Sequence, residues 1–232
     1  MRILAFETSA KAASVALLQD GLLLGEYFQN SGQTHSRTLT KMAEDLLQNC
    51  ELTAKDVDAV ACAAGPGSFT GVRIGVAAAK GFAWGRQLPC YGVSTLEAMA
   101  KNIAVSNGIV CAAMDARRSQ VYTALFRVKD GSMTRLMEDS AISVEELSQK
   151  LKEYPDNKML VGDGAFLCYN TMELDKETLL LVPEHLRMQR AAGVALLAWS
   201  QYCDGLSPDG AVLVPEYLRL SQAERERLNK NI

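Results

Sequence analysis

The chain has 232 residues, 48% of them apolar and 22% charged, with a formal net charge of −3. That balance excludes extensive disorder, and it excludes the basic surplus by which a lone protein usually holds nucleic acid. The length favours two lobes or two small domains over one core.

Six cysteines, at positions 50, 62, 90, 111, 168 and 203, show no C-x-x-C spacing and mostly sit in apolar runs. They read as small buried hydrophobes in a reducing compartment. The apolar run before Glu7 in MRILAFETSA is too short for a signal peptide, so a cytoplasmic protein is expected.

Three strands open the chain, at Ile3–Phe6, Ser14–Leu18 and Leu22–Phe28, with Asp20-Gly21 as the hairpin turn between the last two. In Ser36–Cys50, the residues Leu39, Met42, Ala43, Leu46, Leu47 and Cys50 recur at helical spacing opposite a polar face of Arg37, Lys41, Glu44, Asp45 and Gln48. The apolar run Val57–Ala64 predicts a buried strand.

The stretch GPGSFTGVRIGVAAAKGFAWG, Gly65 to Gly85, follows. Pro66 lacks an N–H, so the chain turns here, and Ser68 or Thr70 can cap the next helix. The free amides of that helix start would suit an anion; a tight connection needing glycine for backbone reasons explains the loop equally well. The glycines at 65, 67 and 71 match neither G-x-G-x-x-G nor a Walker loop. From Val72 to Gly85 the only charges are Arg73 and Lys80, so the helix is apolar nearly all round and must be covered nearly all round. Gly71, Gly75, Ala78 and Phe82 form a stripe of mostly small residues. One side can meet the chain's own sheet; the other suits a neighbouring helix or another subunit. The run is too short to cross a bilayer. A strand at Cys90–Val93 then leads through Ser94, a helix cap, to Leu96, Met99, Ala100 and Ile103.

The second half repeats this grammar. Strands at Ile109–Met114, Gln120–Val128 and Met133–Met137, a helix led by Ser143 and a strand at Met159–Val161 follow in the same order. Glu7 pairs with Asp115 as the acid ending a first strand, Asp20-Gly21 with Asp130-Gly131, and Gly65–Gly67 with Gly162–Gly164. A duplicated α/β unit is expected, with any cleft between the copies and the lobes spanning 1–106 and 107–232. A long helix, about Leu186 to Tyr202 with Met188, Ala192, Ala195, Leu196 and Trp199 as its apolar set, comes next. Pro208 and Pro215 break the chain, and Ser221–Ile232 is charged and expected to fray.

The chemistry is sparse. His35 and His185 are the only histidines, and neither has a second one a helical turn away, so no helical metal pair can be built. No G-x-S-x-G elbow occurs. Phosphoryl chemistry is the serious candidate, with Glu7 and Asp115 facing a cleft and Arg117 or Arg118 meeting an anion. Turn-capping acids with solvated arginines are the competing account.

Taken together, ETSAKAASVALLQDG, AAGPGSFTGVRIGVAAAKGFAWG, LPCYGVSTLEAMA, MDARRSQVYTALF, VGDGA and VPEYLRL resemble the bacterial TsaB (YeaZ) family, in order and over nearly the whole chain. The resemblance implies an α/β, duplicated actin-like fold of the sugar-kinase and heat-shock ATPase class, each lobe with a mixed sheet and helices. It implies a non-catalytic role in threonylcarbamoylating the adenosine next to the anticodon of tRNAs reading codons that begin with A. The implied partners are the catalytic paralogue TsaD, the P-loop ATPase TsaE, a second copy of the chain, and tRNA through the complex, with no membrane involved. The paralogue's paired histidines would fall at His35 and Leu39, so its metal site is missing here. No cofactor is expected for this chain alone, with ATP or ADP at the junction of subunits. The partner surface is then expected on the two helices, at Leu39, Met42, Ala43, Leu46, Val72, Gly75, Val76, Ala78, Ala79 and Phe82. A small-molecule kinase or ATPase using Glu7 and Asp115 is the alternative.

Overall fold

The computed structural model describes residues 1–219; the expectation for Ser221–Ile232 lies outside them. Apolar runs and the Asp20-Gly21 turn make the first antiparallel meander, β1 (Arg2–Glu7), β2 (Ala13–Gln19) and β3 (Leu22–Gln29). Asp20 and Gly21 have φ of 51° and 83°, and Asp130 and Gly131 have φ of 50° and 78°, the left-handed pair that a two-residue hairpin turn requires. After α1 (His35–Asn49), β4 (Ala59–Gly65) adds parallel to β1. After α2 (Phe69–Trp84), β5 (Cys90–Ser94) adds parallel to β4. The sheet order is β3-β2-β1-β4-β5.

Past α3 (Thr95–Asn102), the second half builds the same sheet again. Its strands are β6 (Gly108–Asp115), β7 (Gln120–Lys129), β8 (Ser132–Ser143), β9 (Lys158–Val161) and β10 (Leu179–Leu181), in the order β8-β7-β6-β9-β10 with matching senses. Its helices are α4 (Val144–Lys152), α5 (Ala165–Thr171), the short α6 (Glu184–Arg187) and α7 (Ala191–Cys203). Ser68, Ser94 and Ser143 cap α2, α3 and α4 by accepting from the amides of Gly71, Glu97 and Glu146. This is a duplicated α/β architecture, two mixed sheets of the same strand order with helices on their faces.

The two sheets fall on either side of residue 106, but the helices that cover them do not. α1 and α2 cover one face of the first sheet, but its other face is covered by α7, through Ala191, Val194, Ala195 and Ala198. Conversely α3 packs Leu96, Met99, Ala100 and Ile103 onto the second sheet, whose far face carries α4 and α5. Each copy gives its last helix to the other lobe. The two helices cross so closely that a Cβ on Gly193 would run into the carbonyl of Ala98.

Three sequence expectations are corrected. β8 runs to Ser143 rather than Met137, and α5, β10 and α6 occupy a stretch without a clear sequence period. The last helix starts at Ala191, not near Leu186, because its caps come from far away: Ser14 Oγ accepts from the Ala191 amide (3.1 Å) and Glu26 Oε1 from the Ala192 amide (3.1 Å). Glu26 also pairs with Arg190 at 2.6 Å. The stripe of α7 facing the core is therefore Ala191, Val194, Ala195 and Ala198, with Met188 before the helix and Ala192 only half-buried.

Candidate functional site

A cleft of about 690 Å3 separates the lobes. The first lobe contributes Ser9, Lys11 and the Gly67–Thr70 turn; the second contributes Asp115, Arg117, Tyr122 and Asp163, and Glu216–Arg219 cross its mouth.

The two acids matched in sequence occupy equivalent strand ends but unlike surroundings. Glu7 is fully buried; its Oε1 accepts from the Ser9 amide (2.6 Å), and its Oε2 has no partner among the described residues. Burial pushes its pKa up to about 7, with Ser9 pulling it back in part and the like charge of Asp163 adding to the rise. Asp115 is exposed and accepts from the Arg117 amide (2.7 Å), so it caps the β6–β7 turn. The acid nearer to Glu7 in its electrostatics is Asp163, which the sequence offered only as the middle of a Gly-x-Gly turn. Asp163 is itself raised by burial, while Gln189 Nε2 donates to its Oδ1 at 2.8 Å. Among the described residues no cluster of three or more His, Cys, Asp or Glu stands in position to hold a metal ion.

Arg117, Arg118 and Ser119 have φ of 63°, 58° and 56°, three consecutive left-handed residues at a cost of about 1–2 kcal/mol each. Both arginines are exposed, and among the described residues neither forms an ion pair. His35 Nε2 bonds the Ala10 carbonyl at 2.8 Å, and His185 is exposed on α6, so neither is placed as a base for a nucleophile.

The glycines of the β4–α2 loop serve the chain's own packing. A Cβ on Gly75 would lie 2.5 Å from Thr8 Oγ1, and one on Gly67 would lie 2.6 Å from the Ser9 carbonyl. Thr8 Oγ1 donates to the Gly71 carbonyl (2.8 Å) and Ser68 donates its amide to the Ser9 carbonyl (2.7 Å). The β1–β2 turn thus lies against the start of α2. Gly65, at φ 132°, faces the Glu216 carbonyl at a distance no side chain would allow. Of the two accounts open in the sequence, close packing is the one these contacts support.

The ten helix residues nominated as partner surface divide sharply. Leu39, Met42, Ala43 and Leu46 of α1 and Val72, Gly75, Val76 and Ala79 of α2 are buried, most of them in the first core with Leu4, Phe6, Leu17 and Val60. They face the sheet because a helix on a sheet spends its most apolar stripe there. Ala78 and Phe82 alone stay half-exposed. The face left open on α2 is Thr70, Ile74, Ala77, Ala78, Gly81, Phe82 and Trp84, with Trp84 77% exposed. Ile74, Ala77, Gly81 and Trp84 of this outer side were not among those nominated, since a helix apolar all round gives no phase by which to choose it. Gly81 differs from Gly71 and Gly75 in that, among the described residues, nothing lies within 4 Å of a Cβ built on it. The outer face of α1 is polar, with Lys41 paired to Asp45 at 2.6 Å.

The family model described as TsaD, tRNA N6-adenosine threonylcarbamoyltransferase, matches residues 29–226. The tRNA threonylcarbamoyladenosine biosynthesis protein TsaB of Bacillus subtilis (strain 168) is 32% identical over 97% of this chain and 96% of its own length. TsaB of Escherichia coli (strain K12) is 33% identical over 94% and 95%. Among solved structures, YeaZ from Pseudomonas aeruginosa superposes with a TM-score of 0.80 at 27% identity, covering 94% of this chain and 99% of that one. Because relatives above 30% identity match this chain over nearly their whole length, and a YeaZ structure shares its fold over 94% of it, the chain belongs to the TsaB (YeaZ) family.

Proposed function

We propose that the chain is a non-catalytic partner subunit in the threonylcarbamoylation of the adenosine next to the anticodon of tRNAs reading codons that begin with A. It acts by pairing with a TsaD paralogue and recruiting the ATPase TsaE, and it self-associates when the paralogue is absent. The observation that carries this reading is the open face of α2: apolar and small side chains from Ile74 to Trp84 that the described residues leave half-buried or exposed, while Val72, Gly75, Val76, Ala79 and Ala83 are buried. The names of the relatives supply the pathway. The cleft supplies little chemistry of its own, with Glu7 buried and Asp115 occupied in a turn. ATP or ADP is placed at the junction of subunits, and tRNA reaches this chain through the complex. Among the described residues no helix is long and apolar enough to cross a membrane, in keeping with a cytoplasmic partner.

The test is reconstitution. The purified chain, given tRNA and a threonylcarbamoyl-adenylate supply, is expected to form no modified tRNA alone and to do so once TsaD and TsaE are added. Product from the lone chain overturns the reading. In the same assay Ala78→Glu, which puts a charge at a half-buried position on the open face, is expected to remove both co-purification with TsaD and product.

A further inference from the structure

After α7 the chain returns along one edge of α2 as an extended strap. Leu213 turns inward against the first core, while Val212 and Val214 on either side of it point outward. Lys80 Nζ donates to the carbonyls of Ala211 (3.1 Å) and Leu213 (2.9 Å). Two turns nearer the helix start, Arg73 Nε donates to the Tyr217 hydroxyl at 2.7 Å. The Arg73 guanidinium lies 3.8 Å from the centroid of the Phe69 ring, on which the Tyr217 ring stacks at 4.7 Å. Arg73 and Lys80 are the only charged residues of α2, and the strap takes up both. The open face beside them, through Ile74, Ala77, Gly81 and Phe82, is left without charge.

We propose that the strap is a charge clamp for the docking face: by holding Arg73 and Lys80 to one edge, it lets a second copy of this chain pack its α2 against this one. The inference rests on the docking reading above. A contact across a two-fold axis sets the same helix against itself, so an unrestrained cation would meet its own image in a desolvated seam. An uncharged face is complementary to itself, which is why the occupant is a second copy. Gly81, with no neighbour among the described residues to exclude a side chain, is where that copy approaches.

The experiment uses the full chain and sedimentation equilibrium. Tyr217→Ala frees Arg73 and is expected to weaken self-association about tenfold, less at high salt. Adding Arg73→Gln to it is expected to restore the affinity to within about threefold, which repair of a merely unfolded strap would not do. Tyr217→Phe keeps the ring on Phe69 but removes the acceptor, and is expected to weaken the dimer in the same direction with the same rescue. If Tyr217→Ala and Tyr217→Phe associate like the parent, or if Arg73→Gln fails to rescue, the clamp is refuted. Ala78→Glu separates the two readings: a dimer that survives it refutes the docking face, whereas a dimer lost to Ala78→Glu but untouched by both Tyr217 variants refutes the clamp alone.

Discussion

Replacing Glu7 by Gln isolates the energetic consequence of burying an acid at the end of β1. The ordinary carboxyl value of 4.5 applies to the unfolded chain and about 7 to the folded one. The folded state therefore binds the proton more tightly, and Glu7 makes stability fall as pH rises between those values, levelling off above 7. A difference of about 2.5 units corresponds to about 3 kcal/mol of stability lost by pH 8. Gln cannot titrate and keeps an oxygen for the Ser9 amide, although a neutral acceptor is weaker by about 1 kcal/mol. The net expectation at pH 8 is that Glu7→Gln is more stable than the parent by about 2 kcal/mol, or about 4–8 °C in Tm for a chain of this size. Near pH 4 the parent is expected to equal or exceed the variant. Urea unfolding followed by circular dichroism at pH 4, 5, 6, 7 and 8 gives the difference directly. A difference that does not change with pH, or a variant less stable at pH 8, would refute the burial argument. A variant that is stabilised in this way would also mark Glu7 as an acid kept at some cost to the fold, half-neutral at physiological pH and ill-suited to hold magnesium.

Gly75→Ala is expected to destabilise the fold by about 1–3 kcal/mol in thermal melts, because its Cβ would stand 2.5 Å from Thr8 Oγ1. Glu26→Ala removes the cap of α7 and the partner of Arg190, a half-buried pair, and is expected to cost about 2–3 kcal/mol, with hydrogen exchange rising first in the opening turn of α7. If that turn keeps its protection, the distant cap is not what starts the helix.

Much of the fold was legible in the chain because local signals carried it. Asp-Gly turns between apolar runs gave the two meanders, Ser68, Ser94 and Ser143 stood where helices begin, and the repeated order of acid, hairpin and glycine turn exposed the duplication. These features depend on residues within a few positions of one another, so sequence by itself determined them. What only the tertiary structure decided involves partners far apart along the chain. α3 and α7 trade lobes because each sheet has a second apolar face that its own half does not cover. Asp163 rather than Asp115 shares the electrostatics of Glu7, since packing and not strand position sets the burial of an acid. The outer side of α2 could not be phased from its composition, because a helix apolar on every side shows its exposed face only once the sheet has claimed one flank and the strap another.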